Sequence, residues 1–237
     1  MLIDPGELKH NLDRLEEIER ASLRLVVQAL VDFRQDAVTI FHEESDLVAD
    51  IGEDITREAL DRLGMSKIEQ RLFGKMDYKR ARYLFHPEYA VKQALFVDSK
   101  AEKISGQATA TLQTSQFSMK VRQVRAGAEI DVAGKLPPIL KVKDESYITT
   151  TIFVKYNYAE KENVHALKTI TVAGVPNGLL QEVYNPGSRD TIWIAGRNAP
   201  SRGEDFRVRL SFSRLKGKAG WRVQQIPIHP LEFCWED

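Results

Sequence analysis

The run Ala94-Leu95-Phe96-Val97, followed at once by Asp98-Ser99-Lys100, constrains this chain more than any other stretch. A short apolar run bounded by charge reads as a buried strand, and the side-chain period of two puts Asp98 and Lys100 on one face. A carboxylate and an ammonium then share one small volume at a strand end. Upstream, Asp77 follows Gly74-Lys75-Met76. If Asp77 ends the neighbouring strand of a charged hairpin, a second carboxylate joins the first, and carboxylate oxygens beside an open position suit Mg²⁺. The acid-x-Lys spacing recurs at Glu7-Leu8-Lys9 and Asp77-Tyr78-Lys79, but only at residues 98–100 does it follow an apolar strand. The residues alone leave two readings open. One is the site of a metal-dependent phosphodiesterase; the other is a salt-bridged strand end.

A chain of 237 residues with 43% hydrophobic content can bury a sizeable core, and it is read as a single domain over residues 1–237. Residues 1–64 are expected to be mainly helical, 75–120 to hold the hairpin and the segment after it, and 145–228 to be rich in strands. The single cysteine, Cys234, excludes an intramolecular disulfide and points to a reducing compartment. No apolar run approaches the ~20 residues of a membrane span. Residues 1–5 lack the basic and apolar regions of a signal peptide, so a cytoplasmic protein is expected. Formal net charge is zero, which argues against indiscriminate coating of nucleic acid. Its distribution is uneven: residues 1–62 hold 7 Lys/Arg against 16 Asp/Glu, 63–125 hold 12 against 5, and 189–222 hold 9 against 3. Two basic segments opposed to an acidic end make a cationic face, which attracts phosphate backbones; a solvated charged surface is the plainer alternative.

Apolar residues at Leu8, Leu12, Leu15, Ile18, Leu25, Leu30, Phe33 and Phe41 follow helical spacing over residues 5–44, with Asp4 placed to cap, Pro5 in the first turn and one break expected. A second helix is predicted over 52–63, stopped by Gly64. Glu53 and Asp54 in its first turn complement the helix dipole. Residues 101–119 read as loop or as a helix with Gln113 and Gln116 on one side, where they would hold water or phosphate or simply face solvent. Residues 147–158 and 164–175 are rich in Thr, Ile, Val, Phe and Tyr and predict two strands joined as a hairpin or a crossing. In Phe206-Arg207-Val208-Arg209-Leu210 the alternation puts Arg207 and Arg209 on one face, which suits either an exposed edge strand or entry into a major groove, where arginine pairs bidentately with guanine. The five histidines lack metal-ligand spacing, and no phosphate-binding Gly-x-x-x-x-Gly-Lys-Ser/Thr run points to ATP.

The motifs carry a resemblance. Val97-Asp98-Ser99-Lys100 preceded by Asp77-Tyr78-Lys79-Arg80 resembles the bipartite PD-(D/E)xK motif of type II restriction endonucleases, in the form found in the SfiI-type enzymes related to BglI. Glu53-Asp54-Ile55-Thr56, Leu112-Gln113-Thr114-Ser115-Gln116, Thr151-Ile152-Phe153-Val154, Tyr184-Asn185-Pro186 and Ser201-Arg202-Gly203-Glu204 are similar to that family's sequence and come in the same order. The likeness departs at Met76, where the general motif has proline, and at a C-terminus that falls earlier than in the family's namesake, which leaves assembly open.

The resemblance implies an α/β (α+β) fold, with a mixed central sheet flanked by helices. It implies Mg²⁺ held by Asp77 and Asp98, with Glu53 as an extra ligand, and Lys100 beside the attacking water. Arg207, Arg209 and Arg197 would read bases in the recognition part of residues 145–228, and Arg202, Gln113 and Gln116 would also contact DNA. The expected activity is site-specific double-strand cleavage at a GC-rich interrupted palindrome leaving 5′ phosphates, by a homodimer or a homotetramer acting on two sites. A structure-specific or repair nuclease of the same fold, and a non-catalytic DNA-binding module, are the alternatives.

Overall fold

The computed structural model describes residues 2–44, 48–65, 82–104, 108–162, 164–196, 208–228 and 230–237. The chain opens with a 3-10 turn, Pro5–His10, in which the Asp4 carboxylate accepts from Gly6 N at 2.8 Å and Pro5 takes the first position. Helix α1 (Leu12–Asp32) starts where the Asn11 side chain accepts from Arg14 N at 3.0 Å. Helix α2 (Arg34–Glu43) follows directly after Phe33, whose backbone flattens to φ −89° and ψ −3°. The segment therefore breaks twice rather than once. The extra break comes from an asparagine cap, which terminates one turn by initiating the next. Helix α3 (Val48–Asp61) begins a turn earlier than its apolar spacing predicts, and Gly64 beyond it takes the positive φ of +67° expected of a glycine stop. Among the described residues no helix is long and apolar enough to cross a membrane.

Strand β1 (Arg82–His86) and the 13-residue β2 (Val91–Lys103) form an antiparallel hairpin. The connection after β2 does not form the helix considered for it; it carries the short strand β3 (Thr109–Leu112) and a 3-10 turn, Thr114–Gln116. Strands β4 (Val121–Arg125) and β5 (Ala128–Val132) pair across a two-residue turn at Ala126 and Gly127, both with positive φ. Two left-handed residues in succession give the turn whose twist suits a hairpin. Strand β6 (Ile139–Val142) then leads into β7 (Glu145–Lys161) and β8 (Val164–Val175), the hairpin expected from their composition. A 3-10 turn (Gly178–Leu180), α4 (Gln181–Tyr184), β9 (Trp193–Ala195), β10 (Val208–Ser211), α5 (Phe212–Lys218) and β11 (Val223–Pro227) complete the order.

The main sheet runs β1-β2-β7-β8-β11, with β6 also on β7; its one parallel pair is β2 with β7, in register from Gln93↔Ile148 to Lys103↔Tyr158. Parallel neighbours need a long crossover, and here residues 104–144 supply it. That crossover puts β3 into a second sheet, β3-β10-β9. Each face of the main sheet has its own cover. Leu23, Val26, Leu30, Phe41, Ile55 and Leu60 of the helices pack on Leu95, Ile152, Val154, Tyr156 and Val172. Ala110, Leu112, Trp193, Val208 and Leu210 of the small sheet pack with Phe153 and Ala173 of the other face. The end of β2 thus lies between a helical layer and a strand layer.

Candidate active site

Alternation along β2 separates two chemistries. Ser99 points to the helical face and donates to Thr56 Oγ1 of α3 at 2.8 Å; Thr56 Oγ1 lies 2.7 Å from the Tyr156 hydroxyl. Burial pushes the Tyr156 phenol far above its ordinary value, so it remains a neutral hydroxyl in this chain of bonds. Gly52 makes the approach possible. A Cβ there would lie 3.0 Å from the Tyr156 ring and 3.3 Å from the Ala101 amide nitrogen, so α3 and β2 approach more closely than a larger residue allows without a small shift. The next residue, Glu53, is exposed where α3 crosses β2.

Asp98 and Lys100 take the opposite face, toward the small sheet. Asp98 is 4% exposed, and Lys100 Nζ donates to the Thr111 carbonyl of β3 at 2.6 Å. The parallel register brings a second lysine beside it. Lys155 of β7 stands level with Lys100, is 0% exposed, donates to the Thr109 carbonyl at 2.5 Å and lies 2.7 Å from the Glu102 carboxylate. Sequence reading missed Lys155 and Glu102. The signal was present: Lys155 is a charge set between Ile152-Phe153-Val154 and Tyr156.

Arg209 lies on β10, opposite Thr111 of β3 and Ile194 of β9, while its neighbours Val208 and Leu210 are fully buried. The alternation expected for 206–210 is therefore present at the described residues 208–210. Gln113 and Gln116 build the turn after β3: Gln113 N donates to Gln116 Oε1 at 2.7 Å, and the Gln113 side chain accepts from the turn's backbone in return. Their side-chain oxygens are committed to this reciprocal cap. Asp77, Arg197, Arg202 and Arg207 lie outside the described residues.

Among the described residues no three His, Cys, Asp or Glu side chains gather as a metal group. The donor chemistry at β2 nonetheless fits a hard divalent cation: a carboxylate at a buried strand end, with Glu53 exposed on α3 alongside. Because α3 begins at Val48, Glu53 and Asp54 lie in its second turn rather than the first turn expected of them.

A mixed sheet with helices on one face, a small strand layer on the other, and an acid and a lysine two residues apart on β2 define a nuclease of the restriction-endonuclease fold. The family model described as "Type II restriction enzyme SfiI" matches residues 24–226. The chain belongs to this SfiI family of type II restriction enzymes, which are site-specific deoxyribonucleases. It is 35% identical over 231 residues to the type II restriction enzyme SfiI of Streptomyces fimbriatus, covering 91% of this chain and 85% of that one. Its structure is similar to that of tetrameric SfiI bound to cognate DNA, with a TM-score of 0.82 and 33% identity over 98% of this chain and 91% of the other. BglI bound to its DNA recognition sequence shares the fold, with a TM-score of 0.76 and 18% identity over 95% and 94% of the two chains.

Proposed function

We propose that this enzyme cuts both strands of a GC-rich interrupted palindrome in a Mg²⁺-dependent reaction that leaves 5′ phosphates, and that Asp77, Asp98 and Lys100 carry the chemistry. The observation that supports this most is the placement of Asp98 and Lys100 on the same face of β2, with Lys100 anchored at 2.6 Å to the backbone of the small sheet. Asp98 and Asp77 would hold the ion, with Glu53 as a further oxygen donor. When bound, Mg²⁺ supplies charge stabilisation at the phosphoryl oxygens and the leaving 3′ oxygen. Asp98, at 4% exposure, works away from bulk water, where its charge acts most strongly. Lys100 holds the attacking water in line with the phosphorus. Its backbone bond to Thr111 restricts the ammonium to one side of the strand, so little orientation is left to be found during reaction.

Arg209 of β10 would read bases, and Arg197, Arg202 and Arg207, which lie outside the described residues, would add further contacts to DNA. Two copies of the chain would each read half of a palindrome, so a two-fold dimer is the smallest working unit. SfiI is described as tetrameric, and a pair of dimers acting on two sites is the corresponding form for this enzyme.

Plasmids carrying one or two candidate sites, digested with Mg²⁺ and with EDTA, test the reading. Cutting at one sequence in Mg²⁺ without ATP is expected, faster on the two-site plasmid for a tetramer. Binding without cutting in either condition would instead make the protein a DNA-binding module, and cutting without regard to sequence would make it a repair-type nuclease.

A further inference from the structure

Strand β3 is the edge of the small sheet. On its inner side it pairs with β10, and Ala108 O accepts from Phe212 N at 3.2 Å. Because carbonyls alternate along a strand, those of Thr109 and Thr111 point the other way, off the sheet edge. Such carbonyls need partners. They find them in two lysines of the main sheet, Lys155 for Thr109 and Lys100 for Thr111.

The arrangement is costly as a packing device. Lys155 is fully buried, and its register places it beside another ammonium. A buried ion pair is commonly no more stable than apolar side chains of the same volume, so stability alone does not account for a lysine here. Position accounts for it better. The carbonyl that orients Lys100 belongs to Thr111, and Thr111 is the register partner of Arg209. One strand thus carries both the contact to the lysine at the cleavage site and the contact to the strand that reads bases.

We propose that Lys155, with Glu102 as its charge partner, is a positioning residue that pins β3 to β7, so that engagement of β10 with bases sets the position of Lys100. This deepens the cleavage reading and rests on it. With β3 held at Thr109 by Lys155, a shift of β10 on cognate DNA reaches Thr111 as a defined displacement. Without that second point, β3 pivots about the Lys100 contact and the ammonium loses its fixed place. Lys155 then acts on the rate of the chemical step and leaves base contacts in place.

The test compares the full-length parent, Lys155→Met, Glu102→Gln and Asp98→Ala. Each is assayed for cooperative unfolding, for binding to cognate and scrambled duplexes in Ca²⁺, and for single-turnover cleavage in Mg²⁺. Lys155→Met is expected to bind cognate DNA within about threefold of the parent and to cleave it at least about tenfold more slowly. Glu102 lies at the rim, so Glu102→Gln keeps the fold and serves where Lys155→Met does not unfold cooperatively; it is expected to slow cleavage by at least about threefold with binding unchanged. Cleavage by Lys155→Met or by Glu102→Gln at the parental rate overturns the proposal. So does an equal fall in binding and cleavage, which marks a purely structural role. If the parent cuts and Asp98→Ala does not, such results remove only the role of Lys155. If the parent fails to cut, or Asp98→Ala cuts as the parent does, the active-site reading falls and this proposal falls with it.

Discussion

Two of the buried charge clusters among the described residues are built on different plans. The first joins α1 to β8, α4 and the turn before β11. Arg222 is 0% exposed, lies 2.7 Å from Glu19 and 3.2 Å from Glu16, donates to Gly174 O, and has its guanidinium over the Trp221 and Tyr184 rings at 4.3 and 4.4 Å. Glu19 also accepts from Asn177 N, and the Tyr184 hydroxyl donates to Glu16. Opposite charges, rings and backbone enclose one another within the core. The second cluster, at the end of β2, sets two lysines in adjacent register positions, uses backbone carbonyls of another sheet as their acceptors, and ends at a carboxylate on the rim. Each has a fully buried cation, Arg222 in the first and Lys155 in the second. What differs is where the charges aim: inward on one another in the first, and across a boundary between two sheets in the second. The second plan ties a charge to the sheet that carries Arg209, whereas the first ties charge only to the core around it.

The comparison can be broken by removing charge from each cluster and reading both stability and activity. The largest effect is expected at Lys100. Lys100→Ala should slow cleavage about a thousandfold or more, equivalent to about 4 kcal/mol, while cognate binding in Ca²⁺ and the unfolding midpoint stay near the parent's. Chelation by EDTA should abolish cutting by the parent as completely. At the other cluster the expectation reverses. Arg222→Met leaves the Glu19 carboxylate buried without its guanidinium, which should cost about 3–5 kcal/mol of stability in urea unfolding. Whatever fraction of that variant remains folded should cut at the parental rate, and a folded Arg222→Met that binds and unfolds normally but does not cut would merge the two clusters into one functional unit.

Smaller effects sharpen the boundary between the sheets. Arg209→Ala should weaken cognate binding by about 1–3 kcal/mol and scrambled DNA much less, measured in Ca²⁺ at several salt concentrations. Equal weakening on both duplexes would make Arg209 a backbone contact. Leu25, half-buried against the helical core, supplies the contrast: Leu25→Glu should lower solubility or association in sedimentation before it alters sequence preference.

Much of this was legible in residue patterns with a physical cause. The β2 strand announced itself by an apolar run ending in charge, and β7 and β8 by β-branched and aromatic content. The alternation at Val208-Arg209-Leu210 gave the correct faces of β10. The part from 101 to 143 was not legible. β3 has four residues, of which three are Thr or Ala, and its strand state comes from pairing with β10, nearly a hundred residues later in the chain. Local propensity cannot report a partner that distant. Lys155 was hidden for a related reason: its neighbours marked a core strand, and only the parallel register with β2 sets it beside Lys100. The shared face of Asp98 and Lys100 was readable because they lie two residues apart on one strand. The Thr111 carbonyl that accepts from Lys100 was not, because it comes from another strand.

The most direct test uses one protein and two cations. Asp98→Asn keeps the size of the side chain and one acceptor oxygen but removes its charge, so on one cognate duplex the variant should bind in Ca²⁺ about as the parent does and cut in Mg²⁺ at about a thousandth of its rate or less. Cutting within about tenfold of the parent in Mg²⁺ would contradict the assignment of the β2 strand end as the catalytic centre.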